Sequence, residues 1–120
     1  MLHKITVRKI YTLKGAKLDD TYFIYIGRKN KSLKESPLHN GFEKKIYGLK
    51  RCLELYRMWL WEAIRARDKE FRELLRLLQL ARQHDINLVC FCIDSEDNDD
   101  EVICHGQIIR KALLYLDQLY

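Results

Sequence analysis

Apolar and polar positions alternate along residues 3–11, with Ile5 and Val7 on one side and Thr6 and Arg8 on the other. A period of two predicts a half-buried strand. Lys14-Gly-Ala-Lys17 and Asp19-Asp20 have the composition of a connection. Tyr22-Phe-Ile-Tyr-Ile26 is then apolar throughout, as expected of a strand covered on both faces, and ends at Gly27-Arg28. Residues 28–48 lose periodicity. They hold the only proline, Pro37, with Asn40 and Gly41 as further turn formers. A polar loop of this length is expected to carry function.

The period then changes to three and four. Leu49, Leu53, Tyr56, Leu60 and Ile64 form one stripe, flanked by Cys52 and Trp59; Phe71, Leu74, Leu75, Leu78 and Ala81 form a second. No glycine or proline separates them. A break is expected near Ala66–Asp68, with Asp68 as the cap of the second helix, and one uninterrupted helix is the alternative. Tyr56, Trp59 and Trp61 are expected in core and rim packing rather than in a cofactor box. His84-Asp-Ile-Asn87 turns into Leu88–Ile93, an apolar run expected to be the central strand. An acidic stretch follows at 94–101. A last helix is predicted from about Cys104 to Leu119, burying Ile108, Ile109, Ala112, Leu113 and Leu116.

The order β-β-(loop)-α-α-β-α predicts a single α/β domain over residues 1–120. Its core is a small, mainly parallel sheet of about three strands, with helices on both faces. The net charge of +5 is uneven: residues 1–51 carry 13 Lys and Arg against 4 Asp and Glu, and the remainder 9 against 13. A basic N-terminal half suits a phosphate-bearing partner, either a small molecule or a nucleic acid. No apolar run approaches the roughly 20 residues of a membrane span, so no membrane partner is expected. Met1-Leu-His-Lys-Ile-Thr-Val lacks the apolar core of a signal peptide, so the expected location is cytoplasmic and the four cysteines are expected as thiols. There is no Walker loop and no G-x-G-x-x-G, so neither an ATPase nor a dehydrogenase is supported, and no cofactor is expected. The acidic stretch lacks the glycine and glutamate spacing of a calcium loop. Nothing in the pattern bears on the oligomeric state.

The candidate chemistry lies around Cys90, Cys92, Cys104 and His105, for which three readings stand. The four residues are a valid zinc set by count. However, residues i and i+2 of a strand lie about 6.6 Å apart, and Cys104 and His105 are adjacent, so no metal is expected. The second reading is a site. Ligands of parallel sheets bind beyond the carboxyl ends of strands, and a cysteine at a helix N-terminus is acidified. Cys104 is then the candidate nucleophile, with His105 moving its proton. The third reading is structural, with the thiols packing as small hydrophobes; Cys90 and Cys52 suit it best.

Five pieces occur in order: Tyr25-Ile-Gly-Arg28, Ser36-Pro-Leu-His-Asn-Gly-Phe42, Tyr56-Arg-Met-Trp-Leu60, Leu88-Val-Cys-Phe-Cys92 and Cys104-His105-Gly106. Together they resemble the bacterial and phage family designated domain of unknown function 4326, over about residues 22 to 115. Gly41 stands where the family usually has proline. The stretch between Cys92 and Cys104 is longer than usual, and Gln107 replaces an aspartate, so a chemical role needing a carboxylate there has no bearer. The occurrence of the family in phage and mobile elements implies a nucleotide- or nucleic-acid-linked role. The leading expectation is a domain that binds, or binds and processes, a phosphate-bearing, nucleotide-like molecule. Gly27, Arg28, Ser36, Asn40 and Cys92 are the ligand-binding candidates, with Cys104 and His105 the catalytic ones. The second expectation is a non-enzymatic nucleic-acid- or protein-binding module using the basic half.

Overall fold

A computed structural model describes residues 2–9, 21–29, 34–90 and 102–120. The described residues hold three strands, β1 (Ile5–Lys9), β2 (Thr21–Tyr25) and β3 (Asp85–Cys90), and four helices, three of them between β2 and β3 and one after β3. The helices are α1 (Lys44–Tyr47), α2 (Leu49–Ala66), α3 (Lys69–Ala81) and α4 (His105–Leu119). The fold is α/β. The sheet order is β1-β3-β2 and both pairings are parallel, with Leu88 opposite Val7 on one side and Ile24 on the other.

The central place of β3 explains its composition. Every residue after Asp85 is buried, which a strand flanked by two others and covered above and below requires. The strand begins three residues before the apolar run because the Asp85 carboxylate accepts the Lys4 N–H at 2.9 Å and ties its start to the segment before β1. Residues 91–93, expected at its end, lie outside the described residues, as does the acidic stretch at 94–101.

Ile5 and Val7 of β1 and Ile86 and Leu88 of β3 join Tyr56 and Leu60 of α2, Leu74 and Leu78 of α3, and Ile109 and Leu113 of α4 in one core. Each such side chain contributes about 1.5–3 kcal/mol by leaving water. On the other side of the sheet Thr6, Asn87 and Val89 are buried too. Residues 49–81 form two helices. The break is made by Arg67, which ends α2 in the left-handed conformation (φ 54°) and gives its N–H to Ala63 and Ile64. Asp68 stands at the N-cap of α3, but its side chain makes no capping bond. Among the described residues no helix is long and apolar enough to cross a membrane.

The first turn of α4 sits directly on the sheet. A Cβ built on Gly106 would lie 2.9 Å from Val7 Cγ1 and 3.0 Å from Ile26 Cδ1, so only glycine lets the helix approach this closely. Gly106→Val is therefore expected to destabilise the fold by about 1–3 kcal/mol through overpacking. Urea unfolding of the two proteins would measure this; an unchanged midpoint would show that the helix start can lift off freely.

Candidate functional site

The polar loop becomes ordered through its own turn chemistry. Ser36 and His39 bracket a turn, with Pro37 in its second place and the His39 N–H bonded to the Ser36 carbonyl at 3.1 Å. Ser36 Oγ accepts the Leu38 N–H at 3.0 Å, and Asn40 Oδ1 accepts the Phe42 N–H at 2.9 Å. Leu38 is thereby fixed in the core, where its carbonyl accepts the hydroxyl of buried Tyr56 at 2.6 Å. The Ser36 N–H bonds the Gly27 carbonyl, and Arg28 Nε bonds the Asn40 carbonyl at 2.9 Å. The two ends of the loop are thus held against the exit of β2.

At that exit Tyr25 folds back over Gly27, its hydroxyl giving a 2.6 Å bond to the Arg28 carbonyl. A Cβ on Gly27 would lie 2.4 Å from the Tyr25 hydroxyl oxygen, so the ring needs glycine there.

At the start of α4, Cys104 is the N-cap. Its Sγ accepts the Gly106 N–H at 3.4 Å, while Gln107 Oε1 accepts the N–H groups of Ile103 (2.8 Å) and Cys104 (3.0 Å). An acceptor is what position 107 requires, and the carboxamide oxygen supplies it as a carboxylate would.

These segments enclose a cavity of about 490 Å³ beyond the carboxyl ends of β2 and β3. Tyr25, Gly27, Phe42 and Leu49 form its walls. Arg28, Lys29, Lys44 and Lys45 carry its positive charge against Glu43, and Cys90, Cys104 and His105 lie at its floor. The Glu43 carboxylate is 3.9 Å from the exposed Arg28 guanidinium.

The floor is dry. Cys90 and Cys104 are 1% and 0% exposed, and their sulfurs are 3.1 Å apart. His105 Nε2 is 2.7 Å from the Ile26 carbonyl, and its ring meets Tyr56 edge to face at 5.2 Å. Burial pushes the His105 pKa down, opposed only in part by the bond to Ile26. Burial likewise raises the Tyr56 pKa well above the usual phenol range, so both groups are neutral at pH 7.

Of the expected site residues, Gly27, Arg28, Asn40, Cys104 and His105 all line this one cavity. Ser36 does not; its hydroxyl works on Leu38 instead. Cys92 lies outside the described residues. Cys52, expected only to pack, is buried at the cavity wall with its thiol bonded to the Leu49 carbonyl at 3.2 Å. Sequence reasoning missed Tyr25, Phe42, Lys44 and Lys45. Tyr25 and Phe42 stand at the ends of two of the motifs quoted above, and the basic pair closely follows the second; these are the signals that could have found them. Among the described residues no group of three or more His, Cys, Asp or Glu side chains is placed to hold a metal ion.

The order of the elements and the three parallel strands define a small α/β domain. Within that class the chain belongs to the family described as Domain of unknown function (DUF4326), whose model matches residues 9–114. Comparison with curated proteins and with solved structures gives no significant match.

The buried imidazole makes stability depend on pH. In the unfolded chain the ring takes its proton near pH 6.5, whereas in the folded protein it does so only at lower pH. Between those values the unfolded chain binds more protons. Stability is therefore complete above about pH 6.5 and falls as pH drops, by at most about 1.4 kcal/mol per pH unit. Unfolding free energies at pH 7.5 and 5.5 should differ less in His105→Gln than in the native protein. Equal differences would show that His105 does not titrate with folding.

Proposed function

We propose that this domain binds a small phosphate-bearing molecule of nucleotide-like size in the cavity at the carboxyl edge of the sheet. The observation that carries the reading is the pairing of a cationic rim (Arg28, Lys29, Lys44 and Lys45) with aromatic walls (Tyr25 and Phe42) around about 490 Å³. That volume lies within the range of small-molecule sites, and an arginine fork suits phosphate oxygens. The floor offers no net charge, because His105 is neutral. The anionic end of the ligand therefore faces the rim and its uncharged end faces Cys90, Cys104 and His105. Ser36 and the Oδ1 of Asn40 serve the loop, so the rim cations carry the recognition.

A thermal-shift and calorimetric titration with AMP, GMP, CMP and UMP tests this. At least one is expected to bind saturably. Arg28→Ala is expected to weaken that binding by about 1.5–3 kcal/mol, the usual contribution of a charge-assisted hydrogen bond. It should cost folding no more than about 1 kcal/mol for the lost Asn40 bond. Absence of saturable binding by all four, together with salt-sensitive binding of a DNA or RNA oligomer, would replace the pocket reading with that of a nucleic-acid-binding module.

A further inference from the structure

The ligand-binding proposal leaves unused the two thiols at the cavity floor. Cys90 ends β3, Cys104 precedes α4, and their sulfurs stand 3.1 Å apart, about 1 Å beyond a disulfide bond length of about 2.05 Å. Cys104, the N-cap, has extended backbone (φ −146°, ψ 141°), and Cys90 is the last strand residue, so both stand at the ends of their elements. A third group completes the set. The Ile26 carbonyl can only accept, so His105 Nε2 carries the ring proton and Nδ1 keeps its lone pair. Nδ1 lies 3.9 Å from Cys104 Sγ. All three residues border the cavity, so the cavity is the side from which a reagent approaches these buried sulfurs.

We propose that Cys90 and Cys104 form a redox-active dithiol that hydrogen peroxide converts into an intramolecular disulfide. The proposal does not depend on the ligand-binding reading. His105 Nδ1 takes the Cys104 thiol proton, and the thiolate attacks one peroxide oxygen. The S–O bond forms as the O–O bond breaks, and the departing hydroxide recovers the proton from the imidazolium as water. The Cys90 sulfur then displaces hydroxide from the Cys104 sulfenic acid, and its own proton makes the second water. Two thiols lose two electrons and one peroxide is reduced to two waters. Cys52, bonded to the Leu49 carbonyl on α2, takes no part. The alternative is that the pair packs as two small apolar groups.

The test uses the full chain, reduced, desalted and treated with hydrogen peroxide at neutral pH. Intact mass spectrometry is expected to show the loss of two hydrogens, reversed by dithiothreitol. Chymotryptic cleavage after Phe91, combined with cleavage at the acidic stretch, separates Cys90, Cys92 and Cys104 onto different peptides. Non-reducing mapping should then show a Cys90–Cys104 link. Cys92→Ser should retain the link and Cys90→Ser should lose it. Any of three results overturns the proposal: a dominant link through Cys92, oxygen addition without a cross-link, or cross-linking only in urea.

Discussion

The hydrogen bond between His105 Nε2 and the Ile26 carbonyl decides how the last helix meets the sheet. An imidazole buried this deeply costs about 1–3 kcal/mol if left without a partner, and Ile26 lies just past β2, two strands from β1. Satisfying it pins the start of α4 over the far edge of the sheet. Gly106 makes that approach sterically feasible by offering Val7 and Ile26 no Cβ. Once α4 starts there, Cys104 must stand beside Cys90 at the end of β3, and the cavity floor follows from the seating of the helix.

The rest of the cavity is held by a second set of bonds that converges on the same imidazole. The Tyr56 ring packs against His105, and its hydroxyl holds the Leu38 carbonyl. The turns built by Ser36, Pro37 and Asn40 carry the chain from Leu38 to Phe42, and Arg28 Nε returns the loop to the exit of β2. Segments far apart in sequence are thus joined by polar bonds, those of Tyr56 and His105 buried, rather than by apolar packing alone. Polar bonds of fixed geometry specify one arrangement where apolar contacts tolerate several.

Period and composition were enough to find the strands and long helices, because burial imposes them directly. Ile5 and Val7 show the two-residue period, and the apolar run that starts at Leu88 marks the central strand. Other features depend on tertiary structure. The break near Ala66–Asp68 falls where it is expected, but the residue types do not announce that a left-handed arginine, Arg67, makes it. The helix α1 spans a single turn, too short to display a period. At the site, Arg28, Asn40, Cys104 and His105 were legible because they stand at strand exits, turns and a helix start. Lys44, Lys45 and Phe42 were not, since their place at the cavity depends on how the loop folds back. Ser36 was given a ligand role by its residue type, whereas its hydroxyl closes a turn two residues away.

The start of α4 also limits where negative charge can be recognised. A helix N-terminus attracts anions only through N–H groups that are still available. Here Gln107 Oε1 takes the N–H groups of Ile103 and Cys104, Cys104 Sγ takes that of Gly106, and the Cys104 carbonyl takes that of Gln107. The helix has largely capped itself. The residue at position 107 therefore acts by accepting hydrogen bonds, which a carboxamide does as a carboxylate would, and it adds no charge to the floor. Positive charge at this cavity comes from side chains at the mouth. A floor of neutral imidazole and paired thiols beneath a cationic rim divides the cavity into two chemical zones. The outer zone is lined by cations, and the inner one holds buried, uncharged ring and sulfur atoms.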